Sequence, residues 1–148
     1  MSRAGVREVI RRTLELGYGN TRFVKIYGYD VTAFGMTPGG PLAAFWFSGE
    51  SVKENTLSQV TVHHQFDILC AWTIPADERG RENVDAAVFD ACRDVQAAFM
   101  GNTTLDGNAK ALDIGLASAD YETVGQAVYR VLRFTLNVWN LNEETISQ

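Results

Sequence analysis

Two adjacent histidines, His63 and His64, followed by Asp67, are the side chains best suited to chemistry in this sequence. A pair of imidazoles can hold a divalent metal, and a histidine beside a carboxylate can move a proton. Their setting argues against both uses. They lie in a stretch of period-two alternation, where neighbouring side chains point to opposite faces of a strand. Two such neighbours cannot easily ligate one ion, and the His-x-His spacing that would suit a strand is absent. His63 and Asp67 share a face but are four residues apart, about 13 Å in an extended chain. An α+β enzyme using His63, His64 and Asp67 would need them to converge in a pocket with residues such as Ser48 or Glu50. It is kept as a remote alternative.

Other reactive side chains lack a setting. Ser48, Ser51 and Cys70 sit in no nucleophile elbow or triad context. The stretch Gly35-Met-Thr-Pro-Gly-Gly-Pro41 is rich in glycine but has neither phosphate-loop spacing nor its Lys-Ser/Thr ending, so it reads as a turn. Glu82, Asp85, Asp90 and Asp94 spread over the polar side of a helix, as solvated carboxylates do. Cys70 and Cys92 give no disulfide framework or zinc pattern and are expected as reduced core thiols. No catalytic or metal-binding residue is assigned, and no cofactor is expected.

The 148 residues suit one domain spanning 1–148, with 46% hydrophobic and 21% charged residues, enough for a core without disulfides. The net charge of −5 opposes general nucleic-acid binding, which needs a basic surface. No apolar run approaches the roughly 20 residues of a membrane span, and Met1 to Glu8 lacks the apolar segment of a signal peptide. Synthesis in the cytoplasm and no membrane association are expected.

The elements that must position these residues follow from periodicity. Val6, Val9, Ile10, Thr13 and Leu14 form one helical stripe in Ser2 to Leu16, which Gly17-Tyr-Gly-Asn20 ends. Arg22 to Tyr27 and Pro41 to Phe47 read as short strands, and Ser48 to Ser58 as a polar connection. Gln59 to Thr73 is a long strand, with Val60, Val62, His64, Phe66, Ile68, Cys70 and Trp72 on one face. Glu82 to Met100 is a second helix, striped by Val84, Val88, Ala91, Val95 and Phe99. Ala111 to Gly115 reads as a short strand and Ala127 to Asn140 as the last long one. Arg130 breaks the apolar face of that last strand. The fold class expected is α+β, a largely antiparallel sheet with both helices packed on one face.

That packing leaves the other sheet face to be explained. It carries Leu69 and Ala71 on one strand, and Tyr129, Val131 and Trp139 on the other, mixed with Arg133 and Asn137. Aromatic, aliphatic and Arg side chains together suit a subunit interface. Leu69, Tyr129, Val131, Arg133 and Trp139 are therefore candidate interface residues. Phe89, off the stripe of its helix, is another. The alternative is a further layer of the same domain, supplied by residues 22–47. The helices also oppose Arg3, Arg7, Arg11 and Arg12 to Glu82, Asp85, Asp90 and Asp94, a pairing that is internal or sets register between subunits.

Three segments resemble the tail-terminator proteins of long-tailed phages of the lambda type. They are Glu82-Asn-Val-Asp-Ala-Ala-Val-Phe-Asp-Ala-Cys-Arg-Asp-Val-Gln-Ala-Ala-Phe99, Leu105-Asp-Gly-Asn108 and Tyr129-Arg-Val-Leu-Arg-Phe-Thr-Leu-Asn-Val-Trp139. The resemblance covers about half of the chain. It implies a structural virion protein that forms a hexameric ring on the head-proximal end of the tail tube. Such a ring stops tube polymerisation and joins the tail to the head. Its partners are the major tail tube protein and the head-completion or neck proteins. Genomic DNA passes through without sequence readout, which suits an acidic chain. Head-closure and tail-completion proteins of the phage neck share this size and architecture and are the nearest alternative.

Overall fold

The computed structural model describes residues 3–31, 40–55, 60–124 and 126–139. The order is α1 (Arg3–Leu16), β1 (Lys25–Tyr27), β2 (Leu42–Asn55), β3 (Val60–Thr73), α2 (Glu78–Met100), β4 (Ala111–Val124) and β5 (Ala127–Trp139). The strands form one sheet in the order β1-β2-β3-β5-β4. Every pairing is antiparallel except that of β1 with β2. The architecture is the α+β class expected, with both helices on one sheet face.

Periodicity explains that face. Val6, Val9, Ile10 and Leu14 of α1 and Val88, Ala91, Val95 and Phe99 of α2 are buried. They pack on Phe66, Ile68, Cys70 and Trp72 of β3 and on Leu132, Phe134, Leu136 and Val138 of β5. These are the alternate residues of two paired strands, so one register serves the whole core.

Four element limits differ from the sequence reading, the first being β1, which spans only Lys25–Tyr27 of the expected Arg22 to Tyr27. The polar stretch from Ser48 is not a connection: β2 continues to Asn55, because the equally long β3 supplies a ladder partner. Its irregular alternation is absorbed by register shifts between Phe47 and Gly49 and between Val52 and Glu54. β4 runs on to Val124 rather than ending at Gly115. As an edge strand with mostly exposed side chains it never needed an apolar alternation. α2 begins at Glu78, since the Asp77 carboxylate caps it by accepting from Gly80 N at 2.7 Å. Most of the Gly35–Pro41 turn and the polar tail after Leu141 lie outside the described residues.

The arginines of α1 are structural. Arg7 Nη2 donates to Gly28 O at 2.7 Å and Arg11 Nη1 to Ile26 O at 3.3 Å. Both guanidinium groups also lie over the Phe45 ring, at 5.1 and 5.5 Å. Arg12 pairs with Asp106. These contacts pin α1 to the chain around β1 and to the loop after α2. Neither pairing expected between the helices accounts for them. In that loop Leu105, Asp106 and Gly107 all have positive φ, with Leu105 fully buried. Asn108 Nδ2 ties it by donating to Leu105 O at 2.7 Å.

Gly5 lets α1 approach this loop. A Cβ there would lie 2.5 Å from Asn108 Oδ1. Helix propensity alone favours alanine over glycine by about 1 kcal/mol. We expect Gly5→Ala instead to lose about 1–3 kcal/mol by overpacking. Chemical denaturation measures this, and a gain in stability would show that the loop gives way freely.

Candidate functional site

The histidines part company in the fold. His64 faces the helices and is buried, with Nδ1 3.4 Å from the Glu50 carboxylate. His63 faces the other way and stacks on Trp139, its partner across the β3–β5 ladder, with ring centroids 5.0 Å apart. Asp67 shares the His63 face, where it accepts from Ser48 Oγ at 3.1 Å. The sheet backbone separates His64 from the other two, so these three side chains build no common pocket. Among the described residues, no three His, Cys, Asp or Glu side chains gather as a metal site.

Half of the candidate interface residues are core. Leu69, Tyr129 and Val131 are each at most 1% exposed. With Leu42, Ala44 and Ala71 they form a second apolar cluster under Val31, flanked by Tyr27 and Trp46. The further-layer alternative therefore holds for these three positions. Val31, four residues after β1, is fully buried among them. Arg133 is half-buried beside this cluster and gripped by Glu122, with Nε–Oε2 2.9 Å and Nη2–Oε1 2.8 Å. The hydrogen bonds to Glu122 hold its guanidinium even more firmly protonated, against the opposing effect of burial, and the Asp30 and Asp67 carboxylates add to this. Trp139 remains partly exposed.

Phe89 is exposed as expected, at 80%. Met100 joins it at 53% on the outer side of α2, where Asp90, Cys92, Arg93 and Gln96 help line a groove of about 710 Å³. The outer side of α2 thus carries two large apolar side chains that the core does not use, among polar ones.

Neither a model of any protein family nor a curated protein matches this chain.

Two features escaped the sequence reading. Asp94 is not on the solvated side of α2 but buried. It accepts from Thr21 Oγ1 at 2.6 Å and from Arg93 Nη2 at 3.0 Å. Its position three residues after Ala91, at the border of the stripe, was the available signal. The second is a pocket of about 380 Å³ between α2, β4 and β5, with Val84 and Val128 among its lining residues. There the Arg130 guanidinium lies 4.9 Å from the centroid of Tyr121, donates to Asp120 O and sits 3.7 Å from the Asp85 carboxylate. The break in alternation at Arg130 marked this place.

Two outcomes follow. Leu69→Ala and Tyr129→Ala should each cost about 2–5 kcal/mol by opening a cavity, measured by urea unfolding. A change within about 0.5 kcal/mol would mark either as surface. The two free thiols should also differ. Complete burial pushes the Cys70 thiol far above its ordinary range, whereas Cys92 is only half-buried on the outer groove. At neutral pH a maleimide should modify Cys92 in the native protein and Cys70 only after unfolding. Rapid native labelling of Cys70 would contradict the packing described.

Proposed function

We propose that this chain is a structural subunit of a phage tail, acting as a tail terminator. In this reading, copies form a ring, hexameric by resemblance, on the head-proximal end of the tail tube. The ring ends tube polymerisation, joins the tail to neck proteins of the head, and lets genomic DNA pass. The supporting observation is the outer side of α2, where Phe89 and Met100 stand exposed on a rigid helix and serve no intrachain core. Large apolar side chains grouped on a surface suit contact with another protein. The order of an N-terminal helix, strands, a second helix and a closing strand, which suits the family resembled, is met by α1, β1 to β3, α2 and β5, with β4 in addition. No described helix is long and apolar enough to cross a membrane.

The mixed character of this surface suits a chain that is a monomer or weak oligomer alone and a ring when the tube protein of the same phage is present. Mass measurement in solution with and without that tube protein decides it, and a tight dimer in both conditions counts against the proposal. Phe89→Ala should leave unfolding free energy within about 0.5 kcal/mol of the parent. It should reduce joining to tube ends, read by electron microscopy. Unchanged joining would remove this side chain from the contact.

A further inference from the structure

We infer that copies of this chain join edge to edge, the β4 strand of one pairing antiparallel with the β2 strand of the next. This rests on the ring reading above and names the surfaces that would build the ring. The first observation is the two open edges. β1 covers only Leu42 to Ala44 of β2, so from Phe45 to Asn55 no described strand lies on the outer side of β2. None lies outside β4 along Ala111 to Val124. Apart from Glu50, such an edge can template another strand through its backbone N–H and C=O groups.

Strand direction makes the two edges complementary. β2, β3, β5 and β4 alternate in direction. β4 therefore runs opposite to β2. A second copy rotated about an axis roughly along the strands places its β2 antiparallel to β4 of the first. The alternation then continues unbroken from copy to copy. This is a heterologous contact, which closes into a ring if the rotation allows.

The side chains agree with the backbone. Phe47, Phe66, Leu136 and Ile114 form one cross-strand row, and Phe45, Ile68, Phe134 and Leu116 the next. The first row ends in an exposed side chain at the β2 edge, Phe47 at 47%, and the second at the β4 edge, Leu116 at 42%. Joining the edges with these two side chains opposite each other sets one row against the next and covers both. Each edge also carries a register shift at this level, between Phe47 and Gly49 and between Leu116 and Ser118. Bulges bend and twist a sheet, so they favour a curved closed assembly over a flat filament and restrict the register of addition. The helices then lie on one side of the continuous sheet. The polar part of its other face, with Gln65, Asp67, Thr135 and Asn137, lies on the opposite side.

Blocking one edge at a time tests this on the full chain. Leu116→Lys with Tyr121→Lys charges the β4 edge, and Phe47→Lys charges the β2 edge. Folding of each is checked by circular dichroism. Ser51→Lys and Ala117→Lys, at exposed small residues, give the same comparison should Phe47→Lys fail to fold. Native mass spectrometry of concentrated protein is the readout. We expect the parent to form oligomers and either blocked chain alone to run at the 16.4 kDa of one chain. An equal mixture of the two should give a dimer and nothing larger, since only one intact pair of edges remains. Oligomers from the β2-blocked chain alone would overturn the proposal in favour of a symmetric contact. Full-size rings from both blocked chains would overturn it while leaving the ring reading intact. A parent chain that stays single at every concentration and on tube ends would sink both.

Discussion

The molecule is organised by the need to cover both faces of the central strand pair, β3 and β5. Toward the helices, Ile68 and Cys70 of β3 and Leu132 and Phe134 of β5 are buried. On the back, Leu69 and Ala71 face Tyr129 and Val131 and are buried as well. A pair of strands apolar on both faces at the same level must lie inside a three-layer arrangement. The second roof includes Val31, which is fully buried against this cluster. β1, just before it, meets β2 in parallel, while every other pairing is antiparallel. The cations of α1 act on the same stretch, where Arg7 and Arg11 hold the carbonyls of Gly28 and Ile26.

Buried polar groups fix the remaining joints. Asp94 closes the turn after α1 through Thr21, with Gly19 at φ +57° lying close against its carboxylate. Asn108 holds the loop after α2 against Gly5. A buried carboxylate or amide is costly unless hydrogen-bonded, so these contacts select one geometry for each connection. The helices are thereby tied at several points to the sheet and to the loops. Surface features then stand on fixed elements: Phe89 and Met100 on the outer side of α2, and the two open strand edges at the sides of the sheet. A rigid presentation lowers the ordering cost of any association.

These two kinds of surface point in different directions and suit different partners. The sheet edges complement each other in strand direction and in their terminal apolar side chains, which favours contact between copies. The α2 groove lies on the outer side of the helix, with exposed Phe89 and Met100 in its lining. The back of the sheet, where His63 stacks on Trp139 and Asp67 meets Ser48, is polar away from Val31.

The sequence alone determined the layout of elements with strong periodicity. The stripe from Val6 to Leu14, the alternation through β3 and β5, and the stripe from Val88 to Phe99 each had one buried solution, so their faces were legible. It also determined that His63 and His64 point apart, because a strand alternates. Tertiary structure alone decided that the second alternating face is core around Leu69, Tyr129 and Val131. Leu69, Tyr129 and Val131 looked open because Val31 lies far from them in sequence and carries no period that assigns it to the back of the sheet. The length of β4 was hidden for the opposite reason. An exposed edge strand is held by backbone pairing to β5, and such hydrogen bonds leave no pattern in the side chains. Asp94 was misplaced because a carboxylate is read as solvated until its partner is known. That partner, Thr21, lies 73 residues away.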